Sequence, residues 1–155
     1  MKNQIGIDSS YSNQVVEKLN GLLSNVQVFY MNVRGFHWNI TGRHFFKLHE
    51  KFEELYDDLN EKADEIAERI LMLEGKPVHS FTEYLKTSEI KEKLNVSSDM
   101  ATVKEVIDGL GILLKKEREI ASLAAENADD GTVDLMTGYI SGQEKMVWMY
   151  NAFLK

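Results

Sequence analysis

The chain has 155 residues, 43% of them hydrophobic, a single proline, no cysteine and a formal net charge of −7. This length and apolar content predict one domain over residues 1–155, and the acidic balance does not favour binding to phosphate backbones. The composition excludes disulfides, thiolate metal sites and cysteine nucleophiles. The sequence shows no signal peptide and no apolar run of about 18 residues, so we expect a cytoplasmic protein that does not enter a membrane.

Apolar residues in the first quarter of the chain recur at alternating spacings of four and three, which is typical of one face of a long helix. This helix should end near Asn39–Gly42. A second helix is predicted from about Arg43 to Glu74, because Gly75 and Pro77 follow it and act as helix-stop signals. The apolar stripe of the first helix consists of Val15, Leu19, Leu22, Val26, Phe29, Val33 and Phe36.

The rest of the chain predicts two more long helices. Residues 76–101 form a connection with a short amphipathic piece near Phe81–Lys86, and a third helix follows over Val103 to Ala124. "NADDGT" ends it, and the last helix should run from Asp134 to about Leu154, with Leu135, Tyr139, Met146, Met149 and Phe153 facing inward. The long connection suggests a crossover between parallel helices. We therefore predict an all-α protein, a ferritin-like four-helix bundle with a long crossover between helices 2 and 3 that carries a short extra helix.

The predicted second helix carries two pairs of candidate metal ligands on one stripe, away from its apolar stripe. His49/Glu53 and Asp64/Glu68 both have i,i+4 spacing, which places each pair on one face. Glu53 and Asp64 are separated by about 16 Å along the helix axis, whereas ligands must lie within roughly 2–2.5 Å of an ion. One helix therefore cannot bring both pairs to one ion. Two copies related by a two-fold axis can, and they would form two equivalent sites.

His37, at the end of the first helix, can add a second imidazole beside His49. Imidazole together with carboxylate suits Fe(II), Mn(II) or Zn(II) better than calcium.

The candidate ligands also have simpler interpretations. The carboxylates could form an ordinary solvated acidic face of the helix, and we interpret His44 and His79 as surface or hydrogen-bonded residues. The segment "HEKFE" at residues 49–53 lacks the second histidine of the zinc-protease motif HExxH, so we reject a zinc protease. The chain has no ExxH motif, which disfavours a di-iron site inside one bundle.

The run His37-Trp38-Asn39, Gly42 and Phe45, followed by "LHEKFEELYDDLNEKADEIAER", resembles the Dps proteins, the DNA-binding proteins from starved cells. These are ferritin-like miniferritins, and the resemblance extends over the whole chain to the "VWMYNAFL" ending. It implies a hollow homododecamer of 23 symmetry with ferroxidase sites between two-fold-related subunits. It also implies that the protein is an enzyme that oxidises Fe(II), preferably with hydrogen peroxide. Storage of the Fe(III) mineral inside would then protect against oxidative stress.

The resemblance carries over to individual residues of the iron site. His37 and His49 match the family's histidine ligands, and Asp64 and Glu68 match the carboxylates supplied by the partner subunit. Glu53 stands where many members have Asp. It keeps the charge but is one methylene longer, so the occupancy of a second metal position, mono-iron or di-iron, stays open.

Two further sets of residues receive roles from the resemblance. Trp38 matches a tryptophan beside the site in many members, which implies electron donation to reactive oxidants; packing in the core at a helix end is the alternative. Glu126, Asp130 and Asp134 lie where the family builds acidic three-fold pores, which would attract cations. The alternative is that these carboxylates only stabilise helix ends, because Asp134 is expected in the first turn of the last helix, where a negative charge interacts favourably with the helix dipole.

Other functions remain as alternatives. Some Dps proteins compact DNA through Lys-rich tails, but residues 1–14 contain one lysine and twelve copies would carry a charge of −84. We therefore expect DNA binding to be unlikely. A structural or interaction bundle without ferroxidase chemistry is disfavoured by the intact ligand set. A ferritin-like oxygenase that acts on an organic substrate is disfavoured by the missing ExxH pairs.

Overall fold

Four long helices and one short helix make up the protein. The computed structural model describes all 155 residues, and α1, α2, α4 and α5 form a four-helix bundle in which α1 packs on α2 and α4 packs on α5. The short α3 lies in the crossover and contacts α1. The predicted all-α bundle with a helix in its long crossover is confirmed. The helices are α1 (Ser9–Asn39), α2 (Phe45–Met72), α3 (Phe81–Thr87), α4 (Asp99–Glu126) and α5 (Asp130–Phe153).

The predicted apolar stripes form the core. The seven stripe residues of α1 are each at most 1% exposed, and Phe52, Leu59, Ile66 and Ile70 of α2 are fully buried. The prediction for the last helix was wrong at one position, because Met149 is 46% exposed. No helix combines the length and the apolar character needed to cross a bilayer.

The start of the last helix was predicted wrongly. α5 begins at Asp130 rather than Asp134, so Asp134 lies in the second turn. The helix begins early because the Asp129 carboxylate accepts a hydrogen bond from the Thr132 backbone N–H (3.1 Å) and caps it. Gly131, which suggested a break, leaves room for the guanidinium of Arg69. A Cβ atom there would lie 2.8 Å from Nη1 of Arg69.

The end of α2 also uses a glycine for close packing. The residue with left-handed backbone is Glu74 (φ 63°), and the Gly75 N–H donates to the Ile70 carbonyl (2.9 Å). A Cβ atom on Gly75 would lie 2.6 Å from Cγ1 of Val16 on α1. The predicted stop at Gly75 is therefore close to the observed one, but close contact with α1 is what requires a glycine here.

One buried carboxyl group lies inside the bundle. Glu117 of α4 is 1% exposed, and its Oε1 accepts a hydrogen bond from Nε2 of Gln143 on α5 (2.8 Å). Its Oε2 has no hydrogen-bond partner. Burial raises the pKa of Glu117 to about 7, although Gln143 and the charges of Lys62 and Arg118 act in the opposite direction. The ionised form of Glu117 is therefore destabilising in the folded chain.

We predict that Glu117→Gln reduces the pH dependence of stability between pH 4.5 and 7. The folded-state pKa lies above the ordinary value of 4.5, so the stabilisation by Glu117 is complete below the unfolded-state value. It is lost as pH rises through the folded-state value. The difference between the folded-state and unfolded-state pKa values of Glu117 corresponds to about 3 kcal/mol of unfolding free energy at most. Urea unfolding at fixed protein concentration measures it, with Glu119→Gln as an exposed control on the same helix. Parallel pH curves for wild type and Glu117→Gln would contradict the prediction.

Candidate metal centre

Two histidines join the end of α1 to the beginning of α2. The imidazole rings of His37 and His49 are stacked, with centroids 3.8 Å apart and planes at 12°. Nδ1 of His37 donates to the backbone carbonyl of His49 (2.6 Å), and Nδ1 of His49 donates to the backbone carbonyl of His37 (2.7 Å). We call this reciprocal arrangement the histidine clasp. It connects the two helices through side chain and backbone at once.

The clasp determines the tautomer of both rings. A carbonyl oxygen only accepts hydrogen bonds, so each Nδ1 must carry a proton, and in the neutral ring the lone pair is then on Nε2. This is the form in which neutral imidazole binds a metal, with the second nitrogen oriented by a carbonyl. The clasp also provides a hydrogen bond for a backbone carbonyl at the end of α1, that of His37, which the N–H four residues later does not reach. The carbonyl of His37 lies in the last turn of α1, and Thr41, four residues on, instead donates its N–H to the Ser97 carbonyl (2.9 Å).

Packing holds the clasp in place. His37 is 7% exposed and His49 is half-buried. The Phe45 ring stacks on His49 at 4.9 Å between centroids, and the Tyr56 ring meets His37 edge-on at 5.3 Å. Both rings are therefore confined between aromatic neighbours from α2.

The three candidate carboxylates lie on the exposed side of α2. Glu53 is one turn beyond His49, whereas Asp64 and Glu68 are several turns further on, and all three are exposed. Within one chain, no group of three or more His, Cys, Asp or Glu residues that could hold a metal ion comes together. The fold thus brings His37 and His49 together but keeps Asp64 and Glu68 away from them. Each chain presents two separate groups of candidate ligands.

Trp38 is 56% exposed and does not pack in the core of the chain. The guanidinium carbon of Arg34 lies over its ring, 4.7 Å from the centroid. The same guanidinium lies 5.4 Å from the Tyr30 centroid and 5.7 Å from the Tyr56 centroid. A cation surrounded by three aromatic rings therefore stands next to the clasp, a feature that the sequence analysis missed. The i,i+4 spacing of Tyr30, Arg34 and Trp38 on one helix was its available signal.

The remaining histidines have other surroundings. Nε2 of His44 lies 3.8 Å from Oδ2 of Asp99, and its ring packs edge-on against Phe153. His79 is exposed, and its Nδ1 donates to the Pro77 carbonyl (3.0 Å). Both agree with their interpretation as surface or hydrogen-bonded residues.

The three candidate pore residues surround the α4–α5 turn. Glu126 is the last residue of α4, Asp130 is the first residue of α5, and Asp134 lies one turn later; all three are exposed. The adjacent Asp129 is buried instead, at 1% exposure. Two carboxylates of the "NADDGT" segment thus have opposite roles, one facing solvent and one inside.

Asp129 anchors this turn to two other helices. Its Oδ1 pairs with Nη2 of Arg69 on α2 (2.5 Å), and its Oδ2 accepts from the Tyr11 hydroxyl on α1 (2.7 Å). Burial alone would raise the pKa of Asp129, but hydrogen bonds from Thr132 and Tyr11 and the charge of Arg69 lower it overall. The sequence analysis missed this anchor. An acidic residue just before a helix was the local signal for the cap, but nothing local indicated Arg69.

The Ferritin-like domain family matches residues 16–155 of the chain. The chain is 53% identical over 148 residues to the DNA protection during starvation protein of Porphyromonas gingivalis, covering 96% of this chain and 93% of that protein. The crystal structure of the DPS protein from Vibrio cholerae O1, described as a member of a broad superfamily of ferritin-like diiron-carboxylate proteins, is 52% identical. It matches with a TM-score of 0.98 over 99% of this chain and 97% of that one.

A second solved structure, the Dps protein from Bacillus brevis, is 35% identical and matches with a TM-score of 0.91 over 96% of this chain and 100% of that chain. These comparisons confirm the predicted ferritin-like fold and the resemblance to the Dps proteins. The chain therefore belongs to the Dps family of ferritin-like proteins.

Proposed function

We propose that this protein sequesters iron by oxidising Fe(II) and storing Fe(III) mineral inside a hollow homododecamer. The histidine clasp carries the proposal, because it stacks imidazoles of two helices and uses each Nδ1 on a carbonyl, so both Nε2 atoms stay outside the hydrogen bonds of the clasp. Two imidazoles alone make a weak site for iron, and the same chain's Asp64 and Glu68 are out of reach. A site shared across a two-fold axis supplies both halves of the ligand set to each iron.

At such a site His37 and His49 bind the incoming Fe(II) substrate, with Glu53 on the next turn. The partner subunit's Asp64 and the partner subunit's Glu68 complete the ligand set. Carboxylates are hard, anionic ligands, so they favour the more highly charged Fe(III) and thereby promote loss of an electron. Hydrogen peroxide is the proposed preferred oxidant. Two Fe(II), one peroxide and two protons give two Fe(III) and two waters, so both reagents of hydroxyl-radical formation disappear together.

Iron must also reach the interior. Glu126, Asp130 and Asp134 of three subunits are proposed to line an acidic pore, where like charges in a narrow passage raise the local concentration of cations. The Asp129–Arg69 ion pair supports this role, because it holds the first turn of α5 in a fixed place and so positions Asp130. Removal of iron and peroxide from solution is the proposed basis of protection against oxidative stress.

We predict that two inactive variants restore each other when mixed. One variant carries His37→Ala and His49→Ala, and the other carries Asp64→Ala and Glu68→Ala. Each alone should oxidise Fe(II) slowly, because every site lacks half of its ligands. After co-assembly from dissociated subunits, half of the two-fold pairs are mixed and each has one complete site. About a quarter of wild-type sites should therefore return, as an isologous contact requires.

Stopped-flow absorbance of Fe(III) after peroxide addition measures this recovery. Native mass spectrometry confirms that the oligomers contain both variants and counts the subunits. Mixing the two variants without dissociation is the control and should restore nothing. A co-assembled mixture as slow as its parents would show that the site does not span two chains.

We predict that Asp130→Asn combined with Asp134→Asn slows iron uptake at low ionic strength without removing oxidation at the metal site. The reason is weaker attraction of cations at the pore, an effect that salt screens. A matched control replaces two exposed carboxylates of α4, Asp108→Asn and Glu119→Gln. Uptake rates equal to wild type in the pore variant would indicate that iron enters by another route.

We predict that the protein does not retain DNA at physiological salt and pH 7. The chain carries a net charge of −7, and binding to DNA requires cationic side chains that displace counterions. The first residues also fold back, since the Ser9 N–H donates to the Met1 carbonyl (2.8 Å) and the N-terminal amine lies 3.7 Å from Asp8. A gel-shift assay tests this, and a shift in the absence of divalent metal would reveal a binding surface.

A further inference from the structure

Three buried polar atoms without hydrogen-bond partners belong to one cluster of side chains inside the bundle. They are Oε2 of Glu117, Oε1 of Gln143 and the hydroxyl oxygen of Tyr139. Glu117 and Gln143 are each 1% exposed, and Tyr139 is 7% exposed. Gln143 follows Tyr139 by one helical turn, so both side chains lie on the same face of α5. Buried polar groups are nearly always hydrogen-bonded, so the cluster needs donors that an ionised Glu117 does not supply.

The chemistry of the two planar groups accounts for two of these three atoms. Nε2 of Gln143 donates to Oε1 of Glu117 (2.8 Å). If Glu117 is ionised, the remaining oxygen of each group is an acceptor, and neither can donate to the other. A protonated carboxyl has one O–H donor, so a proton on Oε2 of Glu117 can be donated to Oε1 of Gln143. Protonation therefore gives both oxygens a partner at once and closes a ring of two hydrogen bonds between α4 and α5.

We propose that Glu117 and Gln143 form an acid–amide latch, a cyclic pair that joins α4 to α5 while Glu117 is protonated and opens when Glu117 releases its proton to solvent. After opening, the carboxylate oxygen faces the amide oxygen of Gln143 and is repelled by it. Burial raises the pKa of Glu117 to about 7, which places the opening near neutral pH. The second hydrogen bond acts in the same direction, since only the protonated form makes it.

A charge on α2 provides an alternative partner for the opened carboxylate. Lys62 is 8% exposed, and its Nζ pairs with Asp58 on the same helix. The charges of Lys62 and Arg118 favour the ionised form of Glu117, whereas the charge of Asp58 opposes it. Arg118 is engaged at the surface with Glu144 (3.1 Å). An ammonium group has three donors, so Lys62 can accept a second carboxylate, and opening of the latch transfers Glu117 from α5 to α2.

The other titratable neighbours do not take up the proton. Burial raises the pKa of the Tyr139 hydroxyl, and the charges of Glu65 and Glu117 act in the same direction, so this phenol stays neutral. On the side of α1, Lys18 pairs with Glu119 of α4 (4.0 Å), and both side chains face solvent. Glu117 is therefore the group of this cluster that changes its charge near pH 7.

Infrared difference spectroscopy on the assembled protein tests whether Glu117 holds the proton. The spectrum of Glu117→Gln is subtracted from that of wild type at pH 6 and at pH 8.5, on the two sides of the pKa of about 7. We expect the carbonyl band of a protonated carboxylic acid at pH 6, shifted in deuterium oxide, and carboxylate bands in its place at pH 8.5. Glu119→Gln, an exposed control on the same helix, should reveal no acid band. Absence of the Glu117 acid band at pH 6 overturns the proposal.

Crystal structures of the wild-type protein at the same two pH values test the partners of each oxygen and need no variant. At pH 6, Oε2 of Glu117 should lie about 2.7 Å from Oε1 of Gln143, a separation that implies a shared proton. At pH 8.5 this separation should increase, and a Glu117 oxygen should lie within hydrogen-bond distance of Nζ of Lys62. A water molecule bound to Oε2 at pH 6 in place of Gln143 overturns the latch.

A charge-removing variant tests the transfer to α2. Lys62→Met should raise the pH at which the acid band disappears by on the order of one unit, because the ionised form loses a nearby positive charge. Lys104→Met is the matched control, since Lys104 also pairs with an aspartate four residues away, Asp108 (2.9 Å), but lies about 20 Å along α4 from Glu117. It should leave that pH unchanged. An unchanged pH in Lys62→Met as well would overturn Lys62 as the second partner.

Discussion

The rigid rise of α2 is the constraint on which the proposed site depends. A continuous helix from Phe45 to Met72 holds Asp64 about 16 Å along the axis from Glu53, and no bend within one chain brings them together. The two ends of the ligand stripe can meet only if a second copy lies alongside in the opposite direction. Oligomerisation and iron chemistry are thereby linked in the proposal, because a lone chain presents only part of a ligand set.

Each end of α2 is tied to the bundle by a different polar contact. At the start, the histidine clasp uses backbone carbonyls to orient two imidazoles and joins α2 to α1. At the end, Arg69 pairs with the buried Asp129 and joins α2 to the beginning of α5. Arg69 directly follows Glu68, so the proposed carboxylate ligand and the proposed pore are held by adjacent residues of one helix. The buried stripe between these two contacts keeps their spacing constant.

Local sequence signals predicted the helices because each helix has a strong apolar period and clear stop signals. The α1 stripe is buried at all seven positions, since burial on one face requires that spacing. The prediction failed where tertiary contacts override a local signal. Gly131 suggests a helix break, but Arg69 occupies the space where a side chain would lie. Met149 follows the apolar period of α5 and yet is exposed, because nothing within one chain covers it.

The sequence by itself determined the helical bundle, the family resemblance and the two separated pairs of candidate ligands, because periodicity and spacing along a helix are local properties. Only the tertiary structure decided that His37 and His49 exchange hydrogen bonds with each other's carbonyls, which determines their tautomer. It also decided that Arg34 stands among Tyr30, Trp38 and Tyr56, and that Asp129 is buried while Asp130 is exposed. These features depend on contacts between different helices, and the spacing of residues within one helix does not specify which side chains its neighbours present.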